Sequence, residues 1–133
     1  MNAPPSNPVL GVLGIIRDNG RLLMIQRAGT VRVPFAWCFP GGHIEDGETQ
    51  QQALVREMQE EIHVEVEPGQ LLMTQTKHDG ALVLYCWSAM IRSGTPRPNP
   101  REIADLRWLT PHEIRTMPQV LPGTTDILDV IGL

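Results

Sequence analysis

Glu57, Glu60 and Glu61 stand three and four residues apart, a spacing that stacks carboxylates on one side of a helix. On a wheel of about 100° per residue they share an arc of about 100°, on the side away from Leu54, Met58 and Ile62. Arg56 falls outside that arc. Like charges at this spacing repel by roughly 0.2–0.5 kcal/mol per pair in an exposed helix. A divalent cation reverses the sign, because hard cations take carboxylate oxygens. The residues alone leave a second reading open, a solvated acidic face. Upstream, Gly41-Gly42 and Glu48 add to the first one. Tight glycines at a strand end bring main-chain carbonyls close to a ligand, with no Cβ in the way.

These residues need a helix and a turn to hold them. Residues 49–62 read as a helix, with Thr49 and Gln52 forming a capping box and Leu54, Met58 and Ile62 one apolar face. Before it, residues 9–16 read as a buried strand, and Asp18-Asn19-Gly20 as a hairpin turn into a second strand over 22–25. Residues 28–36 read as a loop and 37–39 as a short strand stopped by Pro40-Gly41-Gly42. After the helix, residues 64–75 and 81–91 read as strands joined by Lys77-His78-Asp79-Gly80. Residues 92–101, with three prolines and three arginines, read as a loop, and 106–109 as a strand. Thr110, Pro111 and Glu113 start a helical turn running to Met117, and residues 124–131 read as a terminal helix. The order predicts an α/β fold, a mixed β-sheet sandwiched between α-helices.

A chain of 133 residues is long enough for one domain, here residues 9–133 behind a flexible proline-rich tail, residues 1–8. Net charge is −4. Eight of the fifteen acidic residues fall between Glu45 and Glu67, where Arg56 is the only basic one. That window does not suit a nucleic-acid groove, which attracts a basic stripe. Ten of the eleven basic residues are arginine, a side chain suited to bidentate phosphate contacts. No apolar run approaches the roughly 18 residues that cross a bilayer, and the N-terminus carries no secretion signal. Only two cysteines, Cys38 and Cys86, are present, and they read as small core residues of a reduced, cytoplasmic protein. The expected partners are therefore small molecules, with neither nucleic acid nor membrane among them. Oligomeric state is not readable here.

Gly42, five residues, Glu48, seven residues, then Arg56-Glu57-Met58-Gln59-Glu60-Glu61-Ile62-His63-Val64 resembles the Nudix box, G-x5-E-x7-R-E-U-x-E-E-x-G-U with U aliphatic. Trp37 to Gly42 is similar to the strand entering the box, and Arg101 to Thr110 to the family's C-terminal strand. One defining position departs: His63 stands where the family has glycine. That glycine ends the helix with left-handed φ. Histidine tolerates positive φ better than most residues, so a stability cost of about 1 kcal/mol is expected, without loss of chemistry; the alternative is a rebuilt turn with His63 facing solvent.

The resemblance implies hydrolysis of a phosphoanhydride bond in a nucleoside diphosphate linked to another group, with Mg²⁺ or Mn²⁺ as cofactor. It implies that Glu57, Glu60, Glu61 and the Gly41 carbonyl hold metal, and that one of these glutamates, Glu57 before Glu60 or Glu61, or Glu102 outside the box takes a proton from water. Arg56 pairs with Glu48 or Glu60 and fixes the loop to the helix, with Gly42 and Glu48 as structural members of the motif. Arg27 is the candidate for a terminal phosphate; Phe39, Trp87 and Thr124 are candidates for the base. Gly80 stands where ADP-ribose hydrolases carry proline, and Tyr85 lies about five residues beyond the tyrosine of diadenosine polyphosphate hydrolases. The short chain and Leu121-Pro122-Gly123-Thr124 resemble MutT-type enzymes, but Thr124 replaces their base-reading asparagine. A (d)NTP pyrophosphohydrolase is the expected activity. An ADP-ribose or nucleotide-sugar hydrolase and a non-catalytic nucleotide sensor are the alternatives.

Overall fold

The computed structural model describes residues 7–133. The expected tail lies outside the described residues except for positions 7 and 8. Strand β1 (Val9–Asp18) and β2 (Arg21–Arg27) form the hairpin that Asn19 and Gly20 predict, both with positive φ. The two strands stay paired only beside the turn, at Arg17↔Leu22 and Asp18↔Arg21. Beyond that they splay, and the next segment fills the gap. β3 (Trp37–Cys38) pairs with the end of β2, and β4 (Gly41–His43) pairs with the start of β1. The glycine pair, expected to stop a strand, thus forms one.

After helix α1 (Gln50–Ile62), β5 (Glu65–Lys77) and β6 (Leu82–Ser93) form an antiparallel pair. β6 lies parallel to β1 over eight residue pairs, so the sheet is mixed. β7 (Ile103–Leu109) pairs with β2 and begins three residues earlier than expected. Two short helices follow, α2 (Pro111–Thr116) and α3 (Thr124–Val130). Strand alternation builds two cores. Val12, Ile16, Leu23 and Ile25 face Leu54, Met58 and Ile62 of α1. Ile15, Leu22 and Met24 face Ile114, Ile127 and Leu128 of α2 and α3. Helices therefore cover both faces of the sheet, as the element order implies.

The ends of α1 decide where its carboxylates stand. Thr49 and Gln52 make the expected reciprocal cap, each bonding the other's backbone N–H. His63 ends the helix in the left-handed region, φ 58° and ψ 37°, with its N–H returned to the Gln59 and Met58 carbonyls. His63→Gly is expected to raise stability by about 1 kcal/mol while leaving activity unchanged, because the strain sits at the cap and not in the cleft. Thermal melts of the two proteins check this; an equal or lower Tm in the glycine variant removes the strain assignment.

Candidate active site

The β4–α1 loop is fastened to the helix by one side chain. Arg56 Nε donates to Glu48 Oε2 (2.8 Å), and its Nη2 to Glu48 Oε1 (2.9 Å) and the His43 carbonyl (2.9 Å). Its Nη1 donates to Glu57 Oε1 (2.9 Å) and Glu60 Oε2 (3.1 Å). Arg56 was expected outside the carboxylate arc. Its long stem brings the guanidinium to Glu48 and Glu60, the partners the resemblance implies, and to Glu57 as well. The bidentate contact and the Glu45 N–H, which donates to Glu48 Oε1 at 2.9 Å, push the Glu48 carboxyl down to about 2.

Glu61 corrects the helix wheel. It is 4% exposed, beside Leu54 and Ile62, and not on the solvent side. The arc from Glu57 to Glu61 abuts the apolar arc, and β4 packs against that side of the helix, with Gly42 beside the Glu57 carboxylate. Burial drives the Glu61 carboxyl well above its ordinary range, and neighbouring Glu57 and Glu102 push the same way, against a hydrogen bond from the Gly41 N–H. Glu57 is also raised, by burial first, with Arg56 opposing. A Cβ on Gly42 would push the Glu57 carboxylate from the place it occupies. A Cβ on Gly41 would collide with the Val12 carbonyl.

A cleft of about 400 Å³ opens over these groups. Arg27, Gly41, Gly42, Arg56, Glu57, Glu60, Glu61 and Glu102 all line it, with Ile25, Val31, His43 and Glu45. Glu48 stands behind Arg56. Three expected residues are elsewhere. Phe39, the residue after β3, is 1% exposed in the core beneath α2 and α3, on the same side as Trp37. Trp87 packs beside α1 and donates its indole N–H to Gln50 Oε1 (2.8 Å). Thr124 is 4% exposed as the first residue of α3. Cys38 and Cys86 are buried, which pushes their thiols up to about 12 and about 11, far from reactive thiolates. Ile25, Val31 and Glu45 join the cleft without a sequence signal beyond their neighbourhood to Arg27 and Gly42.

The donor set fits a hard divalent cation. Glu61 Oε2 is buried and, among the described residues, accepts no hydrogen bond. Such an oxygen is unfavourable unless something positive meets it. Glu57, Glu60 and Glu102 supply further carboxylates at the same cleft. Among the described residues no three such side chains converge on one point as they stand. Arg56 instead holds an oxygen of both Glu57 and Glu60.

Two pH limbs follow for the metal-free protein. Glu48 titrates lower in the folded state, so its contribution is present above about 4.5 and lost as pH falls toward about 2. Glu61 titrates higher in the folded state, so folding holds a proton and stability falls as pH rises from 4.5 through its folded value. Glu61→Gln is expected to raise the stability of the chelator-treated protein at pH 8 by about 1–3 kcal/mol, as the cost of burying a carboxyl that is ionised in the unfolded chain disappears. Denaturant melts at pH 3, pH 5 and pH 8 check both limbs, the step from 5 to 3 reading Glu48 and the step from 5 to 8 reading Glu61; a Glu61→Gln protein no steadier than wild type at pH 8 refutes this account of its oxygen.

Known proteins agree with this geometry. The family model described as NUDIX domain matches residues 5–129. A CTP pyrophosphohydrolase of Escherichia coli (strain K12) is 32% identical over 120 residues, covering 89% of this chain and 87% of that protein. An 8-oxo-dGTP diphosphatase of Proteus vulgaris is 43% identical over 67 residues, half of this chain. The crystal structure of a MutT NUDIX hydrolase from Burkholderia pseudomallei superposes with a TM-score of 0.82 at 27% identity, covering 95% of this chain and 99% of that one. Such enzymes act on nucleoside diphosphate derivatives and generally use divalent cations. No helix among the described residues is long and apolar enough to cross a membrane. A motif of spaced glutamates, a cleft lined by them and likeness over nearly the whole chain lead to one conclusion: this protein belongs to the Nudix hydrolase family.

Proposed function

We propose that the protein is a magnesium-dependent pyrophosphohydrolase of nucleoside triphosphates, releasing the monophosphate and pyrophosphate. The unpartnered Glu61 oxygen, buried in a cleft shared with Glu57, Glu60 and Glu102, is the observation that carries the reading. Glu57, Glu60 and Glu61 would hold the cation together with the Gly41 carbonyl, and Mn²⁺ could take the same oxygens. When bound, Mg²⁺ screens adjacent phosphates and lowers the pKa of water.

The chain's own residues divide the remaining work. Arg27 lines the cleft and meets the negative charge of a phosphate, its Nε fixed on the Arg32 carbonyl (2.6 Å). Glu57 takes the proton of the attacking water, helped by burial that raises its affinity for a proton. Arg56 orients the Glu57 carboxylate, and Glu48 holds Arg56. Glu102 stands in the cleft as a second acceptor of protons or cation. Support for a triphosphate comes from the E. coli relative named for CTP, which aligns over 89% of the chain. The Proteus relative is likewise named for a triphosphate, 8-oxo-dGTP. An ADP-ribose pyrophosphatase of Methanocaldococcus jannaschii aligns over only 41% of the chain.

A nucleotide panel tests the reading: ribo- and deoxyribonucleoside triphosphates, 8-oxo-dGTP, ADP-ribose and a nucleotide sugar, with and without Mg²⁺, products identified by mass. Monophosphate and pyrophosphate from a triphosphate, only with the cation, are expected. Turnover confined to ADP-ribose or the nucleotide sugar would move the substrate to that class. Tight binding without turnover would make the protein a sensor. Glu57→Gln and Glu60→Gln should each lower kcat by roughly 100-fold or more with circular dichroism unchanged. Full activity in both variants overturns the site assignment.

A further inference from the structure

The segment joining β6 to β7 does more than connect strands. The Arg97 N–H donates to the Ile62 carbonyl (3.1 Å) and the Asn99 N–H to the Glu61 carbonyl (2.9 Å). Asn99 Nδ2 donates to the Glu60 carbonyl (3.3 Å). With His63 N–H on Gln59 (3.1 Å), each of the last four carbonyls of α1 has a donor. Pro96, Pro98 and Pro100 have no N–H and restrict the residues before them, so donors fall on the alternate positions Arg97 and Asn99.

The same asparagine also shapes the turn that leads to the cleft. Its carbonyl accepts from the N–H groups of Glu102 (3.1 Å) and Ile103 (2.9 Å), and its Oδ1 from the Arg101 N–H (3.2 Å). The Glu102 carbonyl then accepts from Ala28 (2.9 Å), next to Arg27. One residue therefore joins the backbones of Glu60, Glu61 and Glu102, three acidic residues of one cleft on two separate segments.

We propose that Asn99 is a positioning residue for the active site: by bonding the last turn of α1 and the turn before Glu102 together, it sets how far the Glu102 carboxylate stands from Glu60 and Glu61. The proposal rests on Glu102 belonging to the site, as read above. A plain helix cap would add stability and leave the cleft's chemistry alone. A positioning residue changes metal affinity and turnover through Glu102.

The test combines Asn99→Ala, Glu102→Gln and the double variant. Mn²⁺ binding to the nucleotide-free protein is measured by titration calorimetry, with kcat and KM for the preferred nucleotide and amide hydrogen exchange. Asn99→Ala is expected to weaken Mn²⁺ binding and lower kcat by roughly 10- to 100-fold each with KM nearly unchanged, the scale seen when a ligand's supporting partner is removed. The Arg101 amide, which loses its side-chain acceptor, should exchange faster while those of Leu54 and Met58 do not. Glu102→Gln should show a comparable loss, and the double variant no further one, since both act through the same carboxylate. Asn99→Ser, which keeps a short acceptor for the local turn, should lose less and serves if the alanine variant folds poorly. A lower Tm with Mn²⁺ affinity and kcat intact, or losses that multiply in the double variant, overturns the proposal. Unchanged Mn²⁺ affinity and kcat in Glu102→Gln instead removes the reading of Glu102 on which it rests.

Discussion

The guanidinium of Arg56 is the contact on which the rest of the site depends. Its planar fork reaches Glu48, Glu57, Glu60 and the His43 carbonyl at once. A lysine has the charge but not the geometry to bridge a loop and two points of one helix. The contact answers an electrostatic problem set by the fold. Carboxylates are gathered between a sheet and the helix covering it, where desolvation disfavours their charge. Arg56 neutralises the outer part of the cluster, while the inner carboxylate, Glu61, keeps an oxygen that no protein donor meets.

The sheet makes that gathering possible by opening its first hairpin. β1 and β2 part after two residue pairs, and residues 37–43 enter the gap with β3 on one strand and β4 on the other. The entry is tight: a Cβ at position 41 would collide with the β1 backbone, and one at position 42 would displace the Glu57 carboxylate. Strand pairing thus delivers main-chain atoms to the helix face where the glutamates stand. On the far side, the proline-rich strap closes the C-terminal end of α1 and carries Glu102 toward the same cleft. The helix backbone is held at its start by Thr49, at its middle by Arg56 and at its end by Asn99.

Local signals along the chain determined the elements and the motif. The apolar run Leu22 to Ile25, the cap at Thr49 and the spacing of Leu54, Met58 and Ile62 depend on near neighbours, and near neighbours are what a sequence records. The left-handed turn at His63 was legible for the same reason. Tertiary structure decided what depends on the approach of distant segments. It sank Glu61 at the edge of the buried face, where the wheel had it solvated, because the covering surface is the sheet and not the helix. It turned Phe39 inward, since a two-residue strand gives no pattern by which to tell its faces. It made a loop of alternating prolines into the brace between α1 and Glu102, through hydrogen bonds spanning more than thirty residues that no local pattern encodes.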